Sequence, residues 1–170
     1  MIIRKLYIVS VVFAFLGLDA CKISYSFTGA SIPPEMKTFT VKNIQNQGMT
    51  CSPMIAFQFR EELQDKIQSQ TSLKLVNKKG DAVFEGVITD CNLRQLAVQG
   101  DNMAARNRYT IKVKIKYTNE IDPEQNFDAS FSRYEDFSSE QNFNDVENEL
   151  IDELIDQLSE DIFNKAFVNW

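Results

Sequence analysis

Tyr109-Thr110-Ile111-Lys112-Val113-Lys114-Ile115-Lys116-Tyr117 alternates without error between apolar residues at odd positions and polar or basic ones at even positions. Side chains on a β-strand point to opposite faces in turn, so this stretch predicts a strand with one face in a core and the other in water. Working outward, Asn119 to Asn126, which contains Asp122-Pro123, reads as a turn. Phe127, Ala129 and Phe131 then form the core side of a partner strand whose outer side carries Asp128, Ser130 and Ser132. Upstream, Val83 to about Leu93 predicts a longer strand, Lys78-Lys79-Gly80-Asp81 a hairpin turn before it, and Leu73 to Val76 a short strand before that. Phe39, Val41 and Ile44 alternate with polar residues as a first strand, followed by a loop through Gln47-Gly48.

Two segments change from period two to period 3.6. Ser52-Pro53 predicts a helix start with proline in the first turn, where its missing N–H costs nothing. The buried stripe of that helix is Ile55/Ala56, Phe59, Leu63 and Ile67, at spacings of three and four. Val146, Leu150, Leu154, Leu158 and Ile162, supported by Ile151 and Ile155, predict a long amphipathic helix over 145–166, with Asn144 as its cap and Glu147 three residues on as in a capping box. At about 1.5 Å per residue such a helix is roughly 33 Å long, enough to lie across a four-stranded sheet. The order strand, helix, strands, helix predicts an α+β two-layer sandwich: a small, mostly antiparallel or mixed sheet with both helices packed on one face.

The N-terminal segment is of another kind. Arg4-Lys5 gives a positive start, Leu6 to Leu18 is a nearly unbroken apolar run, and Leu18-Asp19-Ala20-Cys21 closes it. That order predicts a secretory signal peptide over 1–20, removed from the mature protein. The apolar run is shorter than the about 20 residues a membrane-spanning helix needs. The ending resembles the lipobox of bacterial lipoproteins, in which the cysteine thiol is acylated and becomes the new N-terminus, so Cys21 is the expected lipidation site. Two or three long acyl chains would hold the protein on a bilayer almost permanently. Residues 21–36, with Ser24, Ser26, Thr28, Gly29, Ser31 and Pro33-Pro34, read as the tether, with Tyr25 and Phe27 suggesting that part of it packs. Residues 37–170 are the single domain.

Composition removes many functions. The chain of 170 residues has a formal net charge of -6, and loss of residues 1–20 takes away Arg4, Lys5 and Asp19, leaving -7. Net acidity argues against a nucleic-acid partner. With no histidine, imidazole-based catalytic triads and His-bearing metal sites are excluded. There is no CxxC pair, GxGxxG or P-loop, and the acidic residues of the last helix fall on its wet face. The sequence therefore reads as a non-enzyme with no cofactor and no metal. Cys51 and Cys91 are the two thiols left after lipidation, and in an oxidising compartment they either form a disulfide or remain two partly buried thiols.

One constellation carries a binding reading. Arg106 and Arg108 lead into Lys112, Lys114 and Lys116, and these three lysines share one strand face. A ladder of like charges is unfavourable unless cross-strand acids, of which Asp128 is one, or an outside anion offset it. The row is either a solubility device that guards the strand against aggregation or a site for phosphates, with the arginines as fork donors.

Several strings resemble the LptE family of lipopolysaccharide-assembly lipoproteins: Cys21-Lys-Ile-Ser-Tyr-Ser-Phe-Thr-Gly-Ala-Ser-Ile-Pro-Pro34, Gln70-Thr-Ser-Leu-Lys-Leu-Val76, Phe84-Glu-Gly-Val-Ile-Thr89, Asn107-Arg-Tyr-Thr-Ile-Lys-Val-Lys114, Phe131-Ser-Arg-Tyr-Glu-Asp-Phe137 and Asp161-Ile-Phe-Asn-Lys-Ala-Phe-Val-Asn-Trp170. The resemblance spans essentially the whole mature chain. It implies a small sheet with two helices, anchored by lipid in the inner leaflet of the Gram-negative outer membrane. It further implies a plug inside the β-barrel partner LptD, help in that barrel's maturation, and contact with lipopolysaccharide on its way to the surface. Arg106, Arg108, Lys112, Lys114 and Lys116 are lipopolysaccharide-binding candidates by chemistry rather than by matched motif. A lipid-anchored accessory factor for another envelope machine, such as a secretin pilot or a cell-wall synthase activator, stays open beside it.

Overall fold

In the computed structural model, which describes residues 31–96 and 105–168, the alternating stretch lies within β5, Arg106–Asn119. The expected signal peptide, Cys21 and most of the tether fall outside the described residues. Tyr109, Ile111, Val113, Ile115 and Tyr117 are buried, and Lys112, Lys114 and Lys116 are exposed, as period two requires. On one side β5 pairs antiparallel with β4, Ala82–Leu96, and on the other with β6, Phe127–Ser138. Three short strands complete the sheet: β1, Thr38–Val41; β2, Gln45–Asn46; and β3, Lys74–Leu75. The order is β3-β1-β4-β5-β6, with β2 pairing β4 beyond the end of β1. Ile44 is buried in the link between β1 and β2 rather than within the first strand.

Lys78 to Asp81 is not a hairpin turn. Both β3 and β4 run parallel to β1, which lies between them, and the intervening segment crosses β1. Gly80 permits the crossing, because a Cβ there would stand 2.8 Å from the carbonyl carbon of Phe39. Thr40 Oγ1 secures it by accepting from the Gly80 N–H at 3.0 Å and donating to the Val76 carbonyl at 3.0 Å.

Both helices start at points different from those expected. Helix α1 spans Ile55–Gln70 with Met54 at its N-cap, so Pro53 precedes the helix instead of sitting in its first turn. Ser52 and Pro53 belong to a preceding turn, closed by the Ile55 N–H on the Ser52 carbonyl at 3.2 Å. Helix α2 spans Phe143–Phe167 and is capped by Asn142, whose side chain accepts from the Asn144 N–H at 3.1 Å. The acid in the first turn is then Asp145, and the expected Asn144/Glu147 box is displaced into the helix.

Helix α1 buries Ile55, Phe59, Leu63 and Ile67, while α2 buries Leu150, Ile151, Leu154, Ile155, Leu158 and Ile162. They form one core with Phe39, Phe84, Ile88, Ile111 and Ile115 of the sheet. Lys66 ties the two helices together, with its ammonium 2.6 Å from Asp156 and 3.4 Å from Glu160. Among the described residues the result is an α+β fold with a mixed, open six-stranded sheet and two helices. Cys51 and Cys91 are disulfide-bonded, with Cα atoms 5.1 Å apart, which staples the loop before α1 to β4 across 40 residues of sequence. Closing a loop of that length removes entropy from the unfolded chain equivalent to about 4 kcal/mol.

Candidate functional site on the open face of the sheet

All five sequence-selected cations are even-numbered residues of β5, so the strand carries them on the face turned away from the helices. What lies opposite each is set by the neighbouring strands. Lys112 faces Asp90 on β4, with Nζ 3.6 Å from Oδ2. Lys114 faces Val87 and Ser130 and reaches Asp128 diagonally at 3.1 Å. Lys116 lies between Glu85 and Asp128, and Glu85 accepts a 2.7 Å bond from Lys42.

Arg108 makes the tightest arrangement. It grips Asp136 of β6 through two bonds, Nε to Oδ1 at 2.7 Å and Nη2 to Oδ2 at 2.8 Å, and its guanidinium lies 3.6 Å from the centre of the Tyr134 ring. The fork geometry suits a carboxylate and the flat cation suits an aromatic face. Arg106 sits one step along the same face, opposite Leu96 and Ser138. The Arg108 bond holds the Asp136 carboxyl below the usual carboxylate range, with Arg106 adding to the effect. In the same way the Lys42 hydrogen bond, with a smaller contribution from Lys116, holds Glu85 low.

The structure thus brings the five cations onto one strand face and interleaves them with acids. Asp128 was legible beforehand, but Asp90, Glu85 and Asp136 were not. Before residue 89, the even-numbered residues of β4 face the core (Phe84, Ile88), and unbroken alternation would have sent Asp90 there too. A bulge between Ile88 and Asp90 shifts the register by one, so that Cys91 turns inward and Asp90 outward to meet Lys112. Two depressions adjoin this row. A cleft of about 800 Å³ is lined by Thr40, Lys42, Lys78, Lys79, Val83 and Glu120, and a shallower one of about 470 Å³ by Lys42, Glu85, Val87, Lys114, Lys116 and Asp128. Val83 in the first and Val87 in the second stand among charged and polar lining residues, so both depressions have a mixed lining.

The profile of the family described as LptE, lipopolysaccharide-assembly, matches residues 36–166. The chain belongs to the LptE family. The match covers both helices to within a residue and the whole sheet. No curated protein sequence matches significantly. Among solved structures, the fold is similar to a minor lipoprotein from Acinetobacter baumannii (11% identity, TM-score 0.51, covering 76% of this chain and 91% of that one). It is also similar to a hypothetical protein from Chlamydia trachomatis (8% identity, TM-score 0.54, covering 79% and 99%). A third is a putative neuraminyllactose-binding hemagglutinin homolog from Helicobacter pylori (9% identity, TM-score 0.52, covering 84% and 89%). At these identities what is shared is the fold.

Proposed function

We propose that this LptE-family protein is a non-enzymatic outer-membrane assembly factor, anchored through an acylated Cys21 on the periplasmic side. It plugs and helps mature an LptD-type β-barrel, and it contacts lipopolysaccharide during export. The observation that carries this reading is the family match over residues 36–166.

The open sheet face is where lipopolysaccharide contact fits best. Arg106, Arg108, Lys112, Lys114 and Lys116 line one strand, and the Lys112 and Lys114 side chains are 51% and 53% exposed despite their acidic partners. Pairs this exposed contribute only about 0–1 kcal/mol, so a phosphate can take over the lysine at little cost. Arg108, clamped by Asp136 and Tyr134, serves better as a fixed positive edge than as a mobile donor.

Lipopolysaccharide binding by Lys→Gln and Lys→Glu variants tests the surface. Replacing Lys112 and Lys114 by Gln removes charge-assisted contacts worth about 1.5 to 3 kcal/mol each when desolvated and less when screened. Expected are weaker and less salt-dependent binding for the Gln pair, loss of measurable binding for Lys112→Glu with Lys114→Glu, and unfolding temperatures within a few degrees of wild type. Unchanged affinity in both folded variants would remove this strand from the contact surface.

A further inference from the structure

Helix α1 begins without the devices that hold the start of α2. Asn142 caps α2 through its side chain, and Asp145 stands in the first turn. At α1 the cap position is Met54, which makes no side-chain bond to the helix, and the first turn holds no acid. A helix start with neither a capping side chain nor a charge to match its dipole is prone to fray. Packing does little for the segment that leads into it. Ile44 and Ile55 are buried, and no residue between them is. Met49 and Met54 stand out in solvent, as does Phe57 just inside the helix.

A few hydrogen bonds hold that segment. The Gln47 N–H donates to the Ile88 carbonyl at 2.9 Å. Asn46 accepts from the Gly48 N–H at 3.2 Å and donates to the Ser52 carbonyl at 3.1 Å, and the Thr50 hydroxyl donates to the Cys91 carbonyl. The covalent tie is the Cys51–Cys91 disulfide, and its two ends differ. Cys91 is 2% exposed and belongs to the core, whereas Cys51 is only partly buried. The loop in turn shapes the start of α1. The Ile55 N–H bonds the Ser52 carbonyl at 3.2 Å, and the Phe57 and Gln58 N–H groups bond the Met54 carbonyl at 3.0 and 3.1 Å.

We propose that the Cys51–Cys91 bond is a redox-sensitive latch on residues 47–54. Its reduction opens this loop and frees the first N–H groups of α1, while Ile55, Phe59 and Leu63 keep the helix docked on a folded sheet. The reductant is an external dithiol, and Cys51 is the sulfur its thiolate can reach. Attack on Cys51 Sγ forms a mixed disulfide and expels Cys91, which takes up a proton and stays in the core as a neutral thiol. The second thiol of the reductant then attacks the mixed disulfide, frees Cys51 and closes the reductant's own disulfide. Two electrons pass to this chain, and the opposite exchange closes the latch again.

Hydrogen exchange tests this independently of the function proposed above. The mature chain carrying Cys21→Ser, which removes the third thiol, is compared in its oxidised form and in dithiothreitol. A second comparison adds Cys51→Ser, which needs no reductant and leaves Cys91 in place. In both, exchange of the Gln47, Ile55, Phe57 and Gln58 amides should accelerate at least about tenfold more than that of the β5 amides from Tyr109 to Tyr117. The same acceleration in loop and β5 would overturn the proposal, because the bond would then stabilise the whole fold without holding this loop in particular. Unchanged exchange in the loop would overturn it too. So would a disulfide that yields to dithiothreitol only after the protein is unfolded in denaturant, since Cys51 would then be out of reach in the native fold.

Discussion

Asp81 joins two strands that are far apart in sequence. Its Oδ2 accepts from the backbone N–H groups of Lys37 and Thr38, at 2.8 and 2.9 Å, and from the Thr38 hydroxyl at 2.9 Å. Its own N–H donates back to that hydroxyl at 3.1 Å. These bonds, led by the Lys37 N–H, hold the Asp81 carboxyl below its ordinary range. A depressed folded-state pKa means a contribution that is complete above the unfolded value, about 3.9 for aspartate, and lost as pH falls through the lower folded value. Asp136, held low by Arg108, and Glu85, held low by Lys42, have the same sign. Stability should therefore decline as pH drops below about 4. Asp81→Ala should cost about 1.5 to 3 kcal/mol at pH 7 and make that decline shallower, as denaturant unfolding at pH 7 and pH 3 would measure. An equally steep acid decline in the variant would show that the Asp81 clasp is not what titrates. None of this was legible in the sequence, where Asp81 looks like the last residue of a hairpin turn. Its partners lie 43 and 44 residues away, and only the parallel register of β1 and β4 brings them together.

At the scale of elements, what could be read from the sequence is what repeats locally. The period-two run of β5 and the 3.6-residue stripes of α1 and α2 depend on nearest-turn geometry, and each places the core where the structure has it. Helix α2 offers a direct check. Leu154 is fully buried and Glu153 is exposed, so Leu154→Ala should cost about 2 to 5 kcal/mol and Glu153→Ala within about 0.5 kcal/mol. Equal losses in denaturant unfolding would mean that the helix buries a different side. Long-range choices were not legible. The path from β3 to β4 across β1 depends on a close approach at Gly80, the outward turn of Asp90 on a bulge, and the Cys51–Cys91 bond on a distance that no spacing encodes. On β6 the alternation that starts with Phe127 would put apolar residues at 133 and 135. The fold instead uses Arg133 and Glu135 there to bind Asp161 and Gln157 of α2.

The whole molecule has two unlike faces. The helices close one face of the sheet and leave to solvent a wet side rich in Asp and Glu. Among the described residues the other face is open, and it collects Arg106, Arg108, Lys112, Lys114 and Lys116 in a chain whose formal charge is -6. A fold with one finished side and one unfinished, charged side fits a protein that works against a partner rather than alone. The partner decides between an LptD-type barrel and another envelope machine. The direct measurement is purification of the full-length protein from detergent-solubilised outer membranes, followed by mass spectrometry and quantification of every protein retained. A large β-barrel subunit of the LptD type in equal amount, with lipopolysaccharide accompanying it, is the expected result. Recovery of a secretin or a cell-wall synthase in its place, or of the protein alone with no barrel, would contradict the assembly role proposed for it.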